Sequence, residues 1–303
     1  MRRAILLLLM FIAAVTFAAS ARAAQVIFNG IGLVDYTHKP DFKVGDWVRY
    51  RMSSSSELGV REEYDVTLVV AGEEDFWGDP SFWLESWVDF PGRPPETTAS
   101  LMSYEIFEDT LAIQRLQLYT RKVINMLDDE GNPRIDINKP AASMLKTRRE
   151  VKNPLRWTRD TLGVDTVVTP KHTFKTTKIT LNQGTGTTQA VGDSSIYQEL
   201  REDRTSFYTQ EVPITHLARE DIVTTAARKA WLIGRSGDSN PLTIRDRGTG
   251  TARLIDYGHG MSGRLIPQHL RYSIAEQVAR EKAARTATAK PATPKRAATG
   301  SRR

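Results

Sequence analysis

Residues Leu162–Leu181, LGVDTVVTPKHTFKTTKITL, constrain the fold of this chain more than any other stretch. Val, Thr, Phe and Ile dominate it, and such side chains suit a pleated, half-buried surface. The pattern predicts two strands, Val164–Thr169 and Thr173–Leu181, turning at Pro170-Lys171-His172. Pro170 sits where its fixed φ favours a turn and its missing N–H leaves no ladder bond unmade.

Other runs repeat the period of two. Trp47, Arg49 and Arg51 alternate with Val48, Tyr50 and Met52, and Arg61–Val70 reads as the returning strand of a hairpin. Phe82–Phe90 sets Trp83, Glu85, Trp87 and Asp89 on one side and Phe82, Leu84, Val88 and Phe90 on the other, and Leu101–Phe107 reads as one more strand. A helix is expected over Asp109–Leu127, with Asp109 as N-cap, Ala112, Leu116, Tyr119, Val123 and Leu127 at helical spacing, and Gly131 and Pro133 as stop signals. Residues 128–160 read as a polar connector whose acids lack calcium-loop spacing. Asn182–Ser195 reads as a glycine- and threonine-rich loop. Ile196–Leu200 and Thr205–Tyr208 read as strand pieces, and Ala252–Tyr257 as a strand preceded by a loop at Gly248-Thr249-Gly250. Tyr272–Ala287 has the composition of a last helix. Many strands joined by short turns, with few helices, define an α+β chain that is mainly antiparallel β. The long crossovers of a doubly wound sheet are missing from the pattern.

The first residues place Arg2 and Arg3 before an apolar run from Ala4 to Ala19 and an Ala21-Arg22-Ala23 motif, the pattern of a secretory signal peptide cleaved after Ala23. The apolar run is shorter than the roughly 20 residues of a membrane span. Residues 24–41 are expected to form a weakly packed N-terminal arm or first edge strand, residues 42–272 a single domain, and residues 273–303 a helix and a basic, disordered tail. The tail concentrates the charge: eight Lys and Arg side chains lie in 280–303 against Glu281 alone, while the folded part is slightly acidic. A nucleic-acid partner is disfavoured for that reason. An anionic membrane surface or an acidic partner would suit the tail.

With no cysteine, thiol catalysis and cysteine metal sites are excluded. His38, His172, His216, His259 and His269 form no HExxH motif and no i, i+4 helical pair, so their spacing signals no zinc site. Gly260-Met261-Ser262-Gly263 falls one residue short of a nucleophile elbow. These features predict no enzyme, cofactor or metal. The informative side chains are aromatic. Trp47, Trp83 and Trp87 share strand phase with charged residues, so they are expected to face away from the core, towards a groove or a partner. With Phe174, and with Leu116, Tyr119 and Val123 of the expected helix, they form the candidate lining for a lipid or other apolar ligand.

The order of motifs adds a resemblance. Val44-Gly45-Asp46-Trp47-Val48-Arg49-Tyr50, then Trp83-Leu84-Glu85, then Gly163–Lys175 resembles secreted bacterial proteins with the outer-membrane lipoprotein-carrier (LolA/LolB-like) architecture. Their recurrent pattern is close to G-x-E-x-V-x-x-P-x-G-x-F, with Asp165 here at the Glu position and His172 at the last Gly. Glu211-Val212-Pro213-Ile214 is similar to a later exposed segment of such proteins. The resemblance implies a curved, unclosed half-barrel with helices packed on its concave face, a place for acyl chains or other apolar ligands there, and a periplasmic or outer-membrane location.

Overall fold

The structure, a computed structural model, describes residues 30–57, 59, 61–109, 112–127, 133–137, 156–191, 194–232 and 242–288. The expected signal peptide and the last fifteen residues of the tail lie outside them. The strands are β1 (Trp47–Ser56), β2 (Arg61–Phe76), β3 (Asp79–Asp89), β4 (Glu96–Ser103), β5 (Thr120–Leu127), β6 (Pro133–Ile137), β7 (Arg156–Val168), β8 (Thr173–Val191), β9 (Ser194–Tyr208), β10 (Leu217–Leu232) and β11 (Leu242–Gly258). They form one sheet in the order β6-β5-β4-β3-β2-β1-β11-β10-β9-β8-β7. Each neighbouring pair is antiparallel. Hence β6 and β7 are its edges, and the sheet is not closed. The first and last strands meet in the middle, with Trp47 opposite Gly258.

The sheet is strongly curved. From β4 to β10 it counts five strand spacings, about 24 Å if flat. Two adjacent residues of the N-terminal arm nevertheless reach both places. Tyr36 Oη contacts Met102 Sδ of β4 at 3.9 Å, while Asp35 N–H donates to Ile214 O, in the β9–β10 connection, at 3.2 Å. The fold is therefore an open antiparallel half-barrel, and the arm is not peripheral: Leu33, Val34 and Tyr36 are buried. They join Val48, Tyr50 and Met52 of β1, Val66, Leu68 and Val70 of β2, Phe82 and Leu84 of β3, and Val212 and Ile214 in one core. Tyr50 Oη fixes the β9–β10 connection to this core through Thr215 Oγ1 at 2.6 Å and Leu217 O at 2.5 Å. Burial alone would raise the Asp35 pKa, but hydrogen bonds from His216, Thr37 and His38 outweigh it and hold the carboxyl well below the usual range.

The opposite face of β2–β5 carries a second cluster of Ala71, Phe76, Trp83, Ala99, Leu101, Ile124 and Ile266. A C-terminal strap, residues 263–271, covers it. Glu85, fully buried on β3, accepts backbone N–H bonds from Arg264, Leu265 and Ile266 at 2.7, 2.9 and 3.1 Å, and the Trp87 indole N–H at 3.0 Å. At Gly72 a Cβ would stand 1.9 Å from Leu270 O, so only glycine lets the strap lie this close. The strap leads into a last helix, Ile274–Thr288, whose first amide is held by Glu73 at 3.0 Å.

Four readings of the sequence are corrected. Asp109–Leu127 is not one helix: a 3-10 turn at Ala112–Arg115 and a single α turn at Leu116–Tyr119 lead into β5. Thr120, Val123 and Ile124 are β-branched, and pairing with β4 and β6 gives their backbone a ladder that local propensity does not supply. The expected loop in 182–195 is strand almost throughout, since β8 pairs with β9 from Thr177 to Val191. Gly248-Thr249-Gly250 lies inside β11, where Thr249 and Thr251 bond Ser55 and Ser53 across the ladder at 2.9 and 2.7 Å. Within the expected connector 128–160, Pro133–Ile137 forms β6 and β7 already starts at Arg156. The hairpins at β1–β2 and β7–β8, the β3 strand and the last helix stand where the pattern put them.

Candidate functional site

The face expected to hold a ligand is occupied. Leu116 and Tyr119 pack in the main core with Tyr36 and Phe107, and Tyr119 Oη donates to Asp109 Oδ2 at 2.7 Å. Val123 is half-buried on β5 opposite Ser100. Trp83 and Trp87 do turn away from the main core, as their phase implied, but the strap covers them: Trp83 is 1% and Trp87 8% exposed. Arg264 stacks on the Trp87 ring at 3.7 Å. Trp47 is half-buried, its indole against Gly258. The structure therefore does not bring these side chains into one pocket. Phe174 is buried in the main core, while its cross-strand partner Val167 borders an open space.

That space is made by the tip of the β7–β8 hairpin. Thr169 and His172 close the turn, with Thr169 N–H donating to His172 O at 2.8 Å. The tip leans across β9 and β10 to the end of β11. Lys171 pairs with Asp256, and the His172 and Phe174 rings stand 5.1 and 6.1 Å from the Tyr257 ring. Between tip and sheet lies a cavity of about 710 Å³. One wall is Asp165–Pro170; the other is Phe207, Ala218, Arg219, Arg253, Leu254, Ile255 and Arg51.

Sheet register explains the charge of this cavity. Arg51 of β1 stands opposite Arg253 of β11, and Arg253 stands opposite Arg219 of β10. Like charges facing each other across strands destabilise a sheet. Two of the three are partly neutralised: Arg51 bonds Asp65 at 3.0 Å, and Arg219 bonds Asp221 at 2.7 Å and lies 5.4 Å from the Phe207 ring centre. Arg253 has no acidic partner among the described residues. Val167, Val168, Pro170, Phe207, Leu254 and Ile255 supply apolar walls beside these guanidinium groups. A cavity of mixed lining, with apolar side chains, Asp165, Thr166 and Thr169 beside a row of guanidinium groups, suits a molecule with an apolar part and an anionic group. Alternation within β1 was legible in the sequence, but the arginine row was not, because it depends on the register of β11 against β1, some 200 residues away, and against β10.

No family model matches the chain, and no curated protein matches it. Among solved structures, it is similar to a candidate lipoprotein from Parabacteroides distasonis, at 13% identity and TM-score 0.30, over 72% of this chain and 97% of the other. It is also similar to a LolA superfamily protein from Nitrosomonas europaea, at 8% identity and TM-score 0.25, over 77% and 94%. The half-barrel assignment rests on the strand order and curvature above, and those agree with the architecture that the motifs resemble.

Proposed function

We propose that this chain is an exported, non-enzymatic binding module of the cell envelope that holds a lipid or similar amphiphile under the β7–β8 tip. The observation that carries the reading is the row Arg51, Arg253 and Arg219 on the wall of a cavity of mixed lining. The ligand's acidic end would lie at Arg253, and its chain along Val167, Phe207, Leu254 and Ile255. Each buried methylene would contribute about 0.8 kcal/mol. Export rests on the signal-peptide pattern of residues 1–23. The test compares palmitate with hexadecanol on the mature protein and on Arg253→Ala. Palmitate is expected to bind at least tenfold more tightly than the alcohol, and the variant is expected to lose that preference. Equal binding of both by the unaltered protein, or binding of neither, refutes the reading.

A second reading follows from the filled main core: the half-barrel serves as a scaffold, and the basic segment 280–303 contacts anionic lipid or an acidic partner. Sedimentation with anionic vesicles at low and high salt, with and without residues 280–303, separates the two. Salt-sensitive binding that needs the tail supports the scaffold reading, and binding that ignores the tail removes it.

A further inference from the structure

We infer that Asp35, His38 and His216 form a binding site for a transition-metal dication of the zinc class, which clasps the N-terminal arm to the β9–β10 connection. One ligand atom from each residue lies within 4.8 Å of the others. His38 Nδ1 is 2.8 Å and His216 Nδ1 is 3.3 Å from the same oxygen, Asp35 Oδ2. Ligand atoms about 2.0–2.1 Å from a tetrahedral metal stand roughly 3.3 Å apart, so these separations need only small adjustments around an ion.

The surrounding bonds are those a metal site requires. The other carboxylate oxygen, Asp35 Oδ1, is taken by Thr37 N–H at 2.9 Å and Thr37 Oγ1–H at 2.6 Å, which leaves Oδ2 to the two imidazoles. His216 Nε2 faces Asp41 Oδ1 at 3.2 Å. A carboxylate on the far nitrogen of a ligating histidine fixes its tautomer and raises its basicity. The contacts of His216 are compatible with an ion. Both nitrogens of His216 face carboxylate oxygens, so a neutral ring would set a lone pair against one of them. Either the ring carries two protons, or Nδ1 binds a cation while Nε2–H donates to Asp41. A dication would be met by Asp35 Oδ2, His38 Nδ1 and His216 Nδ1, with Thr37 Oγ1 also 3.0 Å from His38 Nδ1. His38 is exposed, so solvent reaches the fourth coordination position, as in sites that exchange metal. The loop presenting His216 is held tightly: Ile214 and His216 both have positive φ, 68° and 49°, in a segment that Tyr50 anchors. Asp35 and His216 are 181 residues apart in sequence, so an ion here ties the N-terminal arm to the β9–β10 connection.

The test uses the mature chain without a histidine tag, stripped by chelator and dialysed, and titrated calorimetrically with zinc chloride. One ion per chain is expected, with a rise in the unfolding midpoint that ethylenediaminetetraacetate reverses. Cobalt(II) is expected to give visible absorption bands of a tetrahedral nitrogen–oxygen site. His38→Ala removes one exposed ligand and should weaken zinc at least tenfold while leaving circular dichroism unchanged. Absence of zinc binding by the unaltered protein, an equal response to calcium, or a His38→Ala variant that binds as well as the parent each overturns the inference.

Discussion

Strands β1–β4 and strands β8–β10 belong to one sheet but bury different chemistry. In β2, Val66, Leu68, Val69 and Val70 are all fully buried, and in β3 every residue from Ser81 to Val88 is buried. Both faces of β2 and β3 are covered, by the arm on one side and the strap on the other, so these strands carry nearly continuous buried runs. In the other half the buried side chains include Thr176, Glu202, Ser206 and Glu220. Arg204 bonds Glu202 and stands 3.6 Å from Glu220, while Ser206 donates to Glu220 at 2.8 Å and Gln183 to Glu202 at 2.7 Å. Beyond them β7 exposes Leu162, Val164 and Val168. The doubly covered half is rigid by packing, whereas the half next to the cavity is held by ion pairs whose net worth is small and whose disruption is costly. Most of the cavity wall thus comes from β7 and β9–β11 rather than from the closely packed strands β2 and β3.

The comparison can be broken most sharply at Arg204. Arg204→Ala leaves Glu202 and Glu220 buried without their cation, and a loss of about 3–5 kcal/mol in urea unfolding is expected. A loss below 1 kcal/mol would mean that the ion network is solvated and that the two halves are alike. Glu85→Ala tests the other half. It strips the strap of three backbone acceptor bonds, and a loss of about 2–3 kcal/mol is expected, limited by water reaching the freed amides. Hydrogen exchange should quicken at Arg264–Ile266 and not in β8–β10; uniform quickening would deny that the strap belongs to one half. The smallest effect is a pH trend. Burial raises the pKa of Glu220 above its ordinary 4.5 and outweighs the lowering by Arg204 and Ser206, with Glu202 and Asp221 adding to the rise. The folded protein therefore holds this proton more tightly than the unfolded chain does. That contribution to stability is fully present below about pH 4.5 and is lost as pH rises through the folded-state value. In Glu220→Gln, which mimics the protonated form, the unfolding midpoint should decline less between pH 4.5 and 7 than in the parent. Parallel pH profiles for the two proteins would contradict the assignment.

Much of the apolar half was legible in the sequence, and the reason is local. Val48, Tyr50 and Met52, or Phe82, Leu84 and Val88, reveal a buried face by period two alone. The same rule assigned Trp83 and Trp87 to the opposite face. It could not supply the strap that covers them, because residues 263–271 carry no period and follow β3 by some 180 residues. The stretch 109–127 shows the rule failing: Ala112, Leu116, Tyr119 and Val123 fit a helix, yet the edge of a sheet offers Thr120–Leu127 hydrogen bonds that no local pattern records. The candidate site was hidden for the same reason. Arg51, Arg219 and Arg253 become neighbours only through register, and His38 meets His216 only through the closing of the arm.

The pairing of β1 with β11 has a consequence in time as well as in space. Because Trp47 meets Gly258, the seam at the middle of the sheet is completed by β11, the last strand among the described residues to be synthesised. Until then β1–β6 and β7–β10 can pair only as two separate meanders, each with an unpaired edge where β11 inserts, and contacts of such long range make for slow assembly. Late completion of this kind keeps a nascent polypeptide pliable for as long as its final strand is missing.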